Sequence, residues 1–178
     1  TKSFIWGSKD IEITKSFYKN IEYSFVKVSI GKNKKAVLVL SDISNEVYTW
    51  VGANEERIYT KHGKLIKTSG LERNISFIGD ISKVNVINSE INSFYLELKN
   101  PSAMLALHSS SKESGIDTID TNLGLEKVLI YEEEFNSKII NWSNVNLYYY
   151  STDNGRIVKT IQSYHPNEED IELTFYYK

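Results

Sequence analysis

The stretch that most limits the fold is the last one. Residues run strand-like from Val145 to Thr152, break at Asp153-Asn154-Gly155, and return from Arg156 to Tyr164. After the polar loop His165-Pro166-Asn167-Glu168-Glu169-Asp170, a final run from Ile171 to Tyr177 puts Ile171, Leu173 and Phe175 on one face. Side chains alternate across a strand, and Gly-containing turns between alternating runs define hairpins, so this segment reads as a three-stranded antiparallel meander.

The same grammar recurs upstream. Tyr23 to Ile30 alternates with one slip in phase, Gly31 to Lys34 turns, Ala36 to Leu40 reads as a strand buried on both faces, and Asp42 to Asn45 turns again. Glu46 to Gly52 follows. Arg57 to Lys61 and Lys64 to Thr68 then flank His62-Gly63, a two-residue loop of the kind that needs positive φ. Phe94 to Leu98, Ala103 to Ser109, Gly115 to Asp120 and Lys127 to Glu134 are further strand candidates. Helix is scarce: Thr14 is placed to cap Lys15 to Ile21, and Asn100-Pro101 opens either a helix or a strand over Ser102 to Leu107. With 12 tyrosines, 7 phenylalanines, 3 tryptophans and only 2 prolines, the composition suits half-buried sheet. The expectation is a mainly β chain of about ten short antiparallel strands in a strongly curved sheet, barrel-like or half-barrel, with one or two short helices.

No repeat, linker or low-complexity tract divides residues 1–178, so a single domain is expected, and 178 residues suffice to bury a core. A net charge of -2 and a pI near 6.0 give no global attraction to nucleic acid. The absence of cysteine removes disulfides, thiolate nucleophiles and zinc-thiolate sites. The longest apolar run, Ala36 to Leu40, is far short of the roughly 20 residues of a membrane-spanning helix. The chain begins at Thr1, from which a processed or trimmed amino terminus is expected.

Catalytic signatures are missing. His62, His108 and His165 have no metal-ligand spacing, and Ser109-Ser110-Ser111 has no neighbouring base and reads as a loop. Glu132-Glu133-Glu134 and Glu168-Glu169-Asp170 read as solvated edges rather than a paired acid and base. No enzyme activity, cofactor or metal is expected. Two features rise above this background. Lys61, His62, Lys64 and Lys67, with Lys32, Lys34 and Lys35 on an earlier turn, form a cationic set suited to acidic sugars or lipid head groups; its simpler reading is a lysine-protected edge strand. The strand aromatics offer stacking faces for sugar rings, although core filling is their commoner use. Candidate glycan- or partner-binding residues on these two features are Trp50, Tyr59, Lys61, His62, Lys64, Lys67, Trp142 and Tyr148.

The order Ala36-Val37-Leu38-Val39-Leu40, Tyr48-Thr49-Trp50-Val51, KHGKLIKTSGLERN (residues 61–74) and WSNVNLYYYSTDNGRIVKTIQSYHPNEEDIELTFYYK (residues 142–178) resembles the YjbF/GfcB family of group 4 capsule and exopolysaccharide lipoproteins. Gly63, Lys64, Thr68, Gly70 and Leu71 match its first signature. Trp142, Asn146, Tyr148, Gly155, Arg156, Lys159 and Gln162 match its second, and through this likeness Arg156 and Gln162 join the candidate glycan- or partner-binding residues. Gly63, Thr68, Gly70, Leu71, Asn154 and Gly155 read as the structural part, in turns and packing. Lys64 stands where arginine is frequent, and the chain shows no lipobox cysteine. The resemblance implies an exported, non-catalytic envelope protein, acylated at a cysteine upstream of Thr1 and held at the periplasmic face of a Gram-negative outer membrane. It implies other polysaccharide-secretion proteins, or the polysaccharide itself, as partners. A second reading is a lipid or glycan carrier with a pocket on the concave sheet, and a third is a polysaccharide hydrolase built on facing carboxylates.

Overall fold

The computed structural model describes residues 11–87, 89 and 92–178. Among these, twelve antiparallel strands close into one barrel in simple up-and-down order, the last pairing with the first. They are β1 (Phe25–Ile30), β2 (Lys34–Ser44), β3 (Val47–Val51), β4 (Arg57–Lys61), β5 (Lys64–Ser69), β6 (Ile75–Ile78), β7 (Asn92–Leu98), β8 (Ala103–Asp120), β9 (Leu125–Ser137), β10 (Trp142–Ser151), β11 (Ile157–Gln162) and β12 (Ile171–Tyr176). Closure removes the sheet edge, so β4 and β5 lie inside the ring and the edge-protection reading of their lysines does not hold.

The carboxyl-terminal meander and the β4–β5 hairpin form as expected. His62 (φ 50°) and Gly63 (φ 81°) both occupy the left-handed region, the pair of conformations whose twist matches a two-residue hairpin. Thr14 caps helix α1 (Lys15–Asn20), its Oγ accepting from Phe17 N at 3.0 Å. Other boundaries move. Ala103–Asp120 is one strand rather than two, because it pairs with β9 through Ser109-Ser110-Ser111 and across an irregularity between Glu113 and Gly115. Asn100-Pro101 forms a turn and Ser102 to Leu107 leads into β8, so the strand alternative is realised. Sheet pairing also carries β2 through Asp42–Ser44, where a turn was expected. The short β6 was not anticipated; it meets β5 through Lys67 and Ser76 alone.

Inward residues of opposite walls touch. Trp50 of β3 lies 5.5 Å from Phe175 of β12, and Gln162 of β11 bonds to the backbone of the β4–β5 hairpin. A round twelve-stranded barrel would enclose a wide lumen; this one is flattened until its walls share a core of Val26, Val28, Leu38, Trp50, Ile58, Leu107, Tyr148 and Leu173. Each such burial contributes about 1.5–3 kcal/mol. Outside, α1 covers a second apolar cluster in which Phe25 stacks on Tyr176 at 4.8 Å and packs with Ile13 and Val37. Elsewhere the outer face mixes ion pairs, such as Lys159 with Glu172 at 3.1 Å, with exposed apolar side chains such as Tyr95, Met104 and Ile116. Among the described residues no helix is long and apolar enough to cross a membrane.

Antiparallel order sends alternate turns to opposite ends. One end is stitched shut: Arg73 donates to Asn167 O (2.6 Å), Glu168 Oε1 (2.9 Å) and Asn100 O (3.1 Å), and Lys34 bridges Glu168 and Glu72. Glu168 is therefore drawn in from the solvent, with its side chain only 8% exposed. The other end gathers the β2–β3, β4–β5 and β10–β11 turns around a hollow.

Candidate functional site

Two features converge near these hairpins, one inside the barrel and one at its mouth. Inside, β9 sends Glu133 inward because it shares the phase of Tyr131 and Phe135, whose side chains are in the core. Only 2% of Glu133 is exposed. The carboxylate receives Lys64 Nζ, Tyr148 Oη (2.8 Å) and Asn146 Nδ2 (3.1 Å). Gln162 continues the network: its Oε1 accepts from Leu65 N at 3.0 Å, and its Nε2 donates to Gly63 O and Thr160 Oγ1, each at 2.9 Å. Asn146 Oδ1 accepts from Ser163 N at 2.8 Å.

Burial pushes the Glu133 carboxyl up, but the Lys64 ammonium and the hydrogen bonds from Lys64, Tyr148 and Asn146 outweigh it and hold it below the usual glutamate value. Burial, followed by the Glu133 charge, pushes the Tyr148 hydroxyl well above its ordinary value. Both states suit a fixed structural network: an ionised acceptor surrounded by protonated donors. Beside it lies a gap of about 40 Å³, lined by Phe94, Phe135 and Trp142 among others, enough for one or a few waters. An acyl chain has no space there.

At the mouth the hollow is larger, about 310 Å³, the lower end of the size range of ligand pockets. Its wall is aromatic: Tyr48 stacks on Trp50 at 5.9 Å, and Phe175 on Tyr177 at 6.4 Å, with Tyr150 alongside. Glu46, His62 and Arg156 contribute the charged or titratable part of the lining. The aromatics are pinned, since Tyr150 Oη donates to His62 O at 2.5 Å and Tyr177 Oη to Ile157 O at 2.8 Å. Burial raises the pKa of both phenols, so each stays a donor at neutral pH. The guanidinium of Arg156 sits 5.2 Å over the Tyr177 ring.

The sequence candidates thus divide. Trp50, His62, Gly63, Gly155 and Arg156 line the mouth. Lys64, Tyr148 and Gln162 belong to the inner network, and Trp142 packs edge-on against Phe135 at 4.9 Å. Trp50 itself is buried, its Nε1 donating to Thr60 Oγ1 at 3.0 Å. Tyr59 lies on the outer side, where Lys67 sits 5.4 Å over its ring. Lys61 is 5% exposed in its side chain and reaches Glu46 at 3.5 Å.

The turn residues have visible work. Thr68 Oγ1 accepts from Ile75 N at 3.0 Å, Gly70 (φ 74°) sits against the backbone of Glu56, and Leu71 N donates to Asn74 Oδ1 at 3.1 Å. Asn154 Oδ1 accepts from Arg156 N at 2.9 Å in the β10–β11 turn. Glu133 was missed: the acidic run was read as solvated, although the phase set by Tyr131 and Phe135 marks its middle member as inward. His62, His108 and His165 stay apart, and among the described residues no three His, Asp or Glu side chains converge to hold a metal.

The strand order places the chain in the class of closed up-and-down antiparallel β-barrels. The chain belongs to the family described as group 4 capsule polysaccharide lipoprotein GfcB, YjbF, whose model matches residues 1–176. The fold is similar to the crystal structure of the hypothetical lipoprotein YmcC from Escherichia coli (K12), with a TM-score of 0.81 at 16% identity over 94% of this chain and 90% of that one. No curated protein matches the sequence.

Proposed function

We propose that this protein is a non-catalytic accessory lipoprotein of capsule or exopolysaccharide production, which contacts glycan through the barrel mouth. In this reading it is held at the periplasmic side of the outer membrane by an upstream lipid and works beside other polysaccharide-secretion proteins. The observation that carries the reading is the mouth itself, with pinned aromatic rings beside charged side chains in a hollow of about 310 Å³. Aromatic faces bind sugar rings by stacking, and polar groups at the edge orient them. The small gap beside Glu133, about 40 Å³, favours this over an acyl chain held in the inner network. The inward carboxylate, Glu133, is locked by Lys64 and two neutral donors, an arrangement that favours a structural role over hydrolysis.

The test is to delete the gene and complement it with wild type or with Tyr48→Ala/Tyr177→Ala. Loss of surface polysaccharide on deletion, restored by wild type but not by a folded double variant, is expected. Unchanged polysaccharide in amount and length after deletion sinks the proposal.

A further inference from the structure

We propose that the mouth pocket selects an acidic sugar, with the sugar carboxylate on Arg156 and the ring against the aromatic wall. The inference rests on the glycan reading above and adds the ligand's charge. Its starting point is how cations are used elsewhere in the barrel. Lys34, Lys61, Lys64, Arg73, Lys112 and Lys159 each have a carboxylate within 4.0 Å. Arg156 has none among the described residues. It lies instead over the face of Tyr177, at 5.2 Å from the ring centroid.

That placement orders the guanidinium without using its acid-binding capacity. A cation held over a ring face by its charge keeps N–H groups that can grip a carboxylate with two parallel bonds. The platform is itself fixed. Tyr177 is tied through its hydroxyl to Ile157 O at 2.8 Å and through its carbonyl to Tyr18 Oη at 2.5 Å. On the other side, Asn154 Oδ1 accepts from Arg156 N and Gly155 turns the chain at φ 69°. A pre-positioned cation loses less freedom on binding, so more of the ion-pair energy appears as affinity.

Two acids on these linings already have partners. Glu46, on the same pocket lining, faces Lys61 at 3.5 Å and His62 Nε2 at 3.7 Å. Glu126 shares an adjoining cleft with Arg156 and accepts from Ser151 Oγ at 2.5 Å. An incoming uronate would therefore meet a cation with no carboxylate within 4.0 Å among the described residues, beside stacking surfaces, whereas a neutral sugar would meet the stacking surfaces alone.

The experiment titrates the intact protein with trigalacturonate and with its carboxyl-reduced neutral counterpart, by calorimetry and by Trp fluorescence. A charge-assisted contact of this kind gives the acidic trimer about tenfold tighter binding or more, and the preference shrinks with added salt. Arg156→Gln is expected to bring the two affinities together, and Arg156→Lys to restore only part of the preference because lysine lacks the planar fork. Melting curves and circular dichroism establish that both variants fold. Equal affinities for the two trimers in the wild type, or a preference that survives Arg156→Gln, overturn this inference and leave glycan binding standing. Binding of neither trimer counts against the glycan contact as well as against the charge preference.

Discussion

Lys64 of β5 and Glu133 of β9 meet inside the barrel, although β6, β7 and β8 separate their strands around the ring. An ion pair so placed ties two walls together. Removing one partner leaves the other charge unpaired in a largely buried site, which costs about 3–5 kcal/mol, whereas replacing both with apolar residues of similar size costs much less. Lys64→Met and Glu133→Gln alone should each destabilise strongly in urea unfolding, and Lys64→Met/Glu133→Leu should fall well short of their sum. Additive losses would show that the pair is not coupled.

The same carboxylate sets the acid response. Its folded pKa lies below the ordinary value of 4.5, so the unfolded chain takes up its proton first as pH falls. The stabilisation is then complete above about pH 5 and is lost as pH drops through the folded value. His165, fully buried, adds a higher step. Burial and then the Arg73 charge lower its pKa from 6.5, so its contribution is whole above that value and declines as pH falls toward its folded pKa. Unfolding free energies from pH 8 to 3 should show both losses. Glu133→Gln should flatten the lower one, and His165→Asn the upper.

Two glycines separate backbone strain from crowding. Gly63 (φ 81°) has Ile157 Cγ1 only 2.6 Å from where a Cβ would stand, whereas Gly155 (φ 69°) has open space around that position. Gly155→Ala should therefore cost the left-handed penalty alone, about 1–2 kcal/mol. Gly63→Ala should cost more, because Ile157 or the hairpin must also shift. Equal losses in denaturant titrations would mean that the hairpin moves freely.

Trp50 provides a further check. Thr60→Val keeps the shape but leaves the buried indole N–H without its acceptor at 3.0 Å, a loss of about 1–3 kcal/mol. Its measure is the urea midpoint, followed by tryptophan emission.

The hairpins were legible because their rules are local. His62-Gly63 and Asp153-Asn154-Gly155 sit between alternating runs, and positive φ at His62, Gly63 and Gly155 follows from the turn alone. The long β8 was hidden because three serines resemble a loop until pairing with β9 supplies their hydrogen-bond partners. The cationic set looked like a patch because spacing cannot show where the long side chains end. An irregularity in β4–β5 pairing at Tyr59 and Thr60, and the sparse pairing of β5 with β6, accompany Lys64 reaching inward while Lys67 stays outside. The mouth was half visible: Trp50, His62 and Arg156 were candidates, but their meeting with Tyr150, Phe175 and Tyr177 depends on closure of the ring.

The flattening of that ring has a consequence for traffic. With opposing walls in contact and a tied knot of Arg73, Lys34 and Glu168 at the far end, the barrel leaves no through-passage among the described residues. On the glycan reading proposed above, a polymer would engage the mouth by a terminus or a bend and leave by the way it entered.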